Sequence, residues 1–277
     1  MSAPGDLAAA LGTGLPGLAL LFAAALAAGA VNAVAGGGTI LTFPVLAAIL
    51  PPDPARMVVA NITSTIGIWP GAAAAAWAYR DDRAELPGWA GWLIVPSVAG
   101  AVAGTLLVVL LPPAWFDGLV PGLILLAAVL FALQPRFAAL VGAAAGPRTS
   151  AAGLAAACAA QFVVAVYGGY FGAGIGILML AVLSLLGLGD IHRVNGVKNV
   201  LGMTINGVAA AMFAMGALVG GHEVAWPHAA VMAGGSVLGS LGASRVARRL
   251  PAAVVRRMVA VIGFALAGYY WWRRFVA

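Results

Sequence analysis

The sequence predicts an all-α polytopic membrane protein built from two repeated halves of about five hydrophobic segments each. Three observations predict it. First, 63% of the 277 residues are hydrophobic and only 8% charged, with a mean hydropathy of +1.05, a balance that soluble domains do not show. Second, the apolar runs are long and lack the alternation of polar and apolar residues that a transmembrane barrel needs. Third, the glycine break in NAVAGGGTILTFP (Gly36, Gly37, Gly38) returns 136 residues later within GGYFGAGIG (Gly168 to Gly176).

The segments follow in order. Residues 1–14 form a short lead that carries Asp6 and no Lys or Arg, unlike a cleavable signal. Leu15 to Ala35 is the first span, ended by Gly36–Gly38, since glycine disfavours helix by about 1 kcal/mol per residue. Thr39 to Leu50 is a short apolar segment of about 18 Å as a helix, against a hydrocarbon core of about 30 Å. Pro51, Pro52 and Pro54 stop it. Ala55 to Tyr79 is a long span with a polar head, Asn61, Thr63, Ser64 and Thr65. RDDRAE (Arg80 to Glu85) is an aqueous loop. Leu86 to Leu111 carries Gly100 and Gly104, four apart as in a helix-contact stripe. Pro112 and Pro113 turn the chain into Ala114 to Leu133.

Residues 134–150, with Pro135, Arg136, Pro147 and Arg148, form the longest linker. They divide a first repeat, 15–133, from a second, 151–277. The second half repeats the plan. Ala151 to Phe171 is broken by Gly172, Gly174 and Gly176, and Ile177 to Leu188 is again short. GDIHR (Gly189 to Arg193) is a loop, and Val194 to Leu218 has the polar head NGVKN. Ala229 to Ser244 is glycine-striped, RVARRLPAAVVRR (Arg245 to Arg257) is a basic turn, and Met258 to Trp272 is the last span. At a separation of 136, Gly38 pairs with Gly174, Thr63 with Asn199 and Gly71 with Gly207; at 138, Gly104 pairs with Gly242. An odd number of segments per half makes the halves inverted if the short segments cross. With the N-terminus outside, every basic residue except Arg56, Arg273 and Arg274 then faces the cytoplasm. If the short segments are re-entrant, each half has four crossings and the basic loops fall on both sides.

The net charge of +6 therefore reads as membrane topology rather than a nucleic-acid surface. Cys158 stands alone in an apolar run, where it forms no internal disulfide. His192, His222 and His228 lack the spacing of a metal motif, so no metal or cofactor is expected. No nucleophile–base pair or P-loop is present, which argues against catalysis and ATP hydrolysis, and no Asp or Glu sits mid-span, which argues against a carboxylate proton relay.

The candidate site residues are instead polar groups near the breaks. The start of a half-helix carries about half a positive charge and unpaired N–H groups, which suit an anion. Gly36, Gly37, Gly38, Gly172 and Gly174 would supply amides, and Thr39 a hydroxyl; the alternative is that these glycines only permit close packing. Asn61, Thr63, Ser64 and Thr65 either line a cavity or bond one helix to another. Lys198, the single lysine, lies between Asn195 and Asn199. It either snorkels to the cytoplasmic surface or pairs with a bound anion, with Thr204 and Asn206 extending a polar track.

VNAVAGGGTILTFPVL, VVANITST, FGAGIGILML with VNGVKN, and the basic proline turn RRLPAAVVRRM together resemble the sulfite exporter TauE/SafE family over about residues 18–274. The first polar head reads Ala-Asn-Ile-Thr-Ser where many members have a Gly-Thr-Ser core. The resemblance implies an inner- or plasma-membrane exporter of sulfite, an organosulfonate or a related anion. Its partners would be the small anion and the bilayer, with room for proton or sodium coupling and for a homo-oligomer. A channel-like facilitator is the nearest alternative. An integral-membrane enzyme and a passive assembly subunit are further ones.

Overall fold

The computed structural model describes residues 14–34, 36–78, 88–143, 150–185, 191–246 and 252–276. The lead and the connections that carry Arg80, Arg83, Arg148, Arg248 and Arg249 lie outside the described residues. The rest is helical apart from short turns, without a strand among the described residues. The helices are α1 (Leu15–Val34), α2 (Thr39–Ile49), α3 (Arg56–Ala78), α4 (Ile94–Leu110) and α5 (Pro113–Ala143) in the first half. They are α6 (Ala151–Tyr170), α7 (Ile175–Leu185), α8 (Ile191–Leu218), α9 (Trp226–Val246) and α10 (Ala252–Val276) in the second. A 3-10 turn, Gly88–Leu93, leads into α4. Among the described residues, six helices are long and apolar enough to cross a membrane, and the chain is a multi-pass membrane protein.

Several helix boundaries recur at one separation. Leu15 and Ala151, Val34 and Tyr170, Thr39 and Ile175, and Ile49 and Leu185 stand at the separation of Gly38 and Gly174. α5 is longer than the sequence predicts: it runs through Pro135 to Ala143, into the stretch expected to be linker. A proline is tolerated inside a membrane helix when neighbours satisfy the freed carbonyl. Here the helix continues through Gln134, Pro135 and Arg136, and Phe137 beyond them packs against both core clusters.

Lipid tails are as apolar as leucine, so small residues and buried hydroxyls, rather than hydrophobic burial, decide which helices touch. α9 packs on α1 where Gly235 meets the Phe22 carbonyl and Gly239 meets the Leu26 carbonyl. Ser240 Oγ donates to the Gly29 carbonyl at 3.0 Å, and Ser236 Oγ to the Gly67 carbonyl of α3 at 3.1 Å. α4 packs on α6 in the same way, Gly100 against the Phe162 carbonyl and Gly104 against the Val166 carbonyl. Gln161 Nε2 donates to Ser97 Oγ at 2.9 Å across that pair. In both pairs the residue numbers rise together, so each pair is parallel. Exchange of the halves turns α1 on α9 into α6 on α4. In this packing Gly239, at the Leu26 carbonyl, matches Gly100, at the Phe162 carbonyl; Gly242, the partner of Gly104 at 138, faces open space.

Trp92, Leu110, Val163, Leu218 and Trp272 are exposed on the outer faces, as side chains against lipid are. Inside, Phe43 of α2, Phe116 of α5 and Phe171 after α6 meet edge-on or tilted, with ring centroids 5.4–6.3 Å apart.

Candidate functional site

The two glycine breaks meet. Gly36 and Gly37 have φ of 74° and 108°, and Gly172 and Gly174 of 80° and 79°, the left-handed region that glycine alone enters without strain. An added Cβ on Gly37 would overlap the Gly174 backbone nitrogen, and one on Gly36 would reach the Gly176 Cα at 2.7 Å. The two turns therefore cross backbone on backbone. The start of α7 is brought beside the end of α1, and the start of α2 beside the end of α6.

Several amides expected to be open are engaged. Gly36 N–H donates to the Val31 and Asn32 carbonyls at 3.1 Å, and Gly172 N–H to the Tyr167 carbonyl at 3.2 Å. Gly37 N–H donates to Asn32 Oδ1 at 3.0 Å. Gly38 lies against Ala28 of α1. Asn32 is the residue that sequence reading passed over. Its signal is local: an amide side chain in the last turn of a helix, placed to accept from an orphan N–H beyond the helix end.

On one side of the crossing is a small cavity of about 20 Å³, lined by Asn32, Gly36, Gly176, Lys198, Asn199 and Gly202 among others. That holds about one water. Lys198 is 2% exposed, about 10 Å along α8 from its first residue, so it is enclosed by protein rather than snorkelling. Its Nζ donates to Asn195 Oδ1 at 3.0 Å. The amide orientations follow from chemistry. Asn32 Oδ1 is held by Gly37 N–H, so Nδ2 is the end left to the cavity. Asn199 is 7% exposed, and its Nδ2 has no hydrogen-bond partner among the described residues. The cavity thus presents N–H donors.

The polar head of α3 divides. Ser64 and Thr42 share a hydrogen bond of 2.7 Å between α3 and α2. Thr63 Oγ1 accepts from Ala225 N–H at 3.1 Å, tying the α8–α9 connection to α3. Thr65 Oγ1 donates back to the Asn61 carbonyl at 2.9 Å. Asn61 Nδ2 donates to the Tyr170 carbonyl at 3.0 Å, at the end of α6. Thr63, Ser64 and Thr65 are therefore spent on cross-links and a back-bond. Thr39 and Gly172 come together on the other side of the crossing, beside Asn206 of α8. Of the expected residues, Gly36, Lys198 and Asn199 share the cavity, with Asn195 bonded behind Lys198.

A larger cavity, about 350 Å³, opens at the end of the bundle where the α2–α3 and α8–α9 connections meet. Asp53, Arg56, Glu223 and His228 line it. Among the described residues, no cluster of three or more His, Cys, Asp or Glu is placed to hold a metal.

Residues 21–270 match the family model described as sulfite exporter TauE/SafE. A Haemophilus influenzae protein named "Probable membrane transporter protein" is 29% identical over 255 residues, covering 91% of this chain and 94% of its own length. A Sinorhizobium protein named "Probable membrane transporter protein ORF9" is 27% identical over 257 residues, 90% of each. No solved structure matches.

Proposed function

The chain belongs to the sulfite exporter TauE/SafE family, and from that premise we propose that it is a secondary transporter that exports a small oxyanion, sulfite or an organosulfonate, by alternating access around the crossing of the two glycine breaks. The observation that carries this reading is the donor-lined cavity. The Lys198 ammonium, the Asn199 and Asn32 amide nitrogens and the first turn of α7 converge on one hollow. A helix start and buried N–H groups favour negative charge. An oxyanion offers several acceptors to such donors, and a hollow that holds about one water must open to admit it, as alternating access does. Asn195 positions the lysine. Gly38, Thr39 and Gly174 belong to the moving hinge around it rather than to the first contacts.

Support for two inverted halves comes from the shared helix boundaries and the reciprocal α1–α9 and α4–α6 pairings. The N-terminus then lies outside, the basic connections face the cytoplasm, and the membrane is the inner or plasma membrane. A carrier is favoured over a channel-like facilitator because the hollow holds about one water rather than a column of them.

The test is anion efflux from proteoliposomes. Lys198→Met is expected to lower sulfite flux at least about tenfold, as loss of one charge-assisted hydrogen bond of about 1.5–3 kcal/mol implies. Lys198→Arg should retain part of it. Full flux in a folded Lys198→Met variant would sink the site assignment.

A further inference from the structure

We propose that the opposite side of the glycine crossing is a binding site for a sodium ion, resting on the transporter reading above. The two sides of the crossing have opposite hydrogen-bonding character. The cavity at Lys198 presents donors; the turn at Gly172 presents oxygens. An atom at the position of a Gly172 Cβ would stand 3.1 Å from the Gly168 carbonyl oxygen, 3.6 Å from Thr39 Oγ1 and 3.7 Å from Asn206 Oδ1. These oxygens come from α6, α2 and α8, and Gly172 places no side chain between them.

Amide orientations are again fixed by their partners. Asn206 Nδ2 donates to the Gly202 carbonyl at 2.8 Å, so Oδ1 is the end turned to Gly172. Asn61 Nδ2 donates to the Tyr170 carbonyl, two residues before that turn. Its Oδ1, on a side chain with no exposure, has no hydrogen-bond partner among the described residues. A buried acceptor without a donor is costly, and a hard cation takes oxygen ligands of this kind. The end of α6 adds its negative pole, as the ends of broken helices do at sodium sites in transporters. The start of α2 at Thr39 opposes it, so the side-chain oxygens decide the balance and binding is weak. A cation here and an anion at Lys198 flank the same backbone crossing. Each then strengthens the other's binding, and by linkage the effect is reciprocal.

The experiment is thermal unfolding of the purified full-length protein in NaCl and in choline chloride at equal ionic strength, each with and without sulfite. Ligand that binds only the folded state raises the melting temperature. Sodium is expected to raise it, and to move the midpoint of the sulfite titration to lower concentration. Asn206→Leu should abolish the sodium shift while Lys198→Met keeps it. Thr39→Val serves the same purpose if the asparagine variant does not fold. Equal melting in sodium and choline, with the sulfite shift intact, overturns the cation site and leaves the transporter reading standing. A sodium shift without any sulfite shift supports the cation site and counts against sulfite as the substrate.

Discussion

At the scale of single residues, Asn32 does two things with one amide. Its oxygen takes the Gly37 N–H, and its nitrogen is left to the cavity it lines with Lys198. Asn32→Asp separates the two. The carboxylate still accepts from Gly37, so the turn holds. The donor is replaced by a negative charge beside the anion's place. Efflux should fall at least as far as in Lys198→Met, while the melting temperature changes little; a large fall in melting temperature would show that Asn32 serves the turn alone. Thr63 gives the converse case. Thr63→Val leaves the Ala225 N–H without its acceptor, at a cost of about 1–3 kcal/mol. Its expected signature is a lower melting temperature with an unchanged sulfite midpoint. A shifted midpoint at unchanged stability would return Thr63 to the substrate.

At the scale of elements, glycines at close crossings and glycines in open space predict opposite outcomes. Gly239 meets the Leu26 carbonyl, and Gly242, one turn on, meets nothing. Gly239→Val pushes α9 off α1, and overpacking of this kind costs about 1–3 kcal/mol or more. Gly242→Ala adds a methyl group without a clash and replaces a poor helix residue with the best one. Thermal unfolding in detergent should show loss for the first and none for the second. The same pair separates contact from composition, because both substitutions sit on one face-striped helix.

At the scale of the whole molecule, the proposed orientation fixes which connections meet which solution. Glu223 lines the large cavity at the end where α8 passes to α9, and Arg83 belongs to the connection after α3. In a Cys158→Ser background, a cysteine at Glu223 should react with an impermeant thiol reagent in intact cells. One at Arg83 should react only after the membrane is opened. The reverse pattern would invert the topology and place the donor-lined cavity on the outer side.

The sequence by itself determined the class and where the described helices break. Those depend on local quantities: the length of an apolar run and the place where glycine or proline ends it. That is why the boundaries of α1, α2, α6 and α7 follow the glycine repeat. It misjudged the end of α5, because the helix runs on past Pro135 to Ala143, with Phe137 packed against both core clusters. The tertiary structure alone decided which polar groups meet. Thr63 and Ser64 looked like Asn199 in kind, yet they bond to Ala225 and Thr42, while Asn199 keeps a bare donor beside Lys198. In a soluble helix the polar face is turned to water and can be read from its period. In a membrane helix the outer face is apolar too, so the direction of each polar side chain is set by the helix it happens to face.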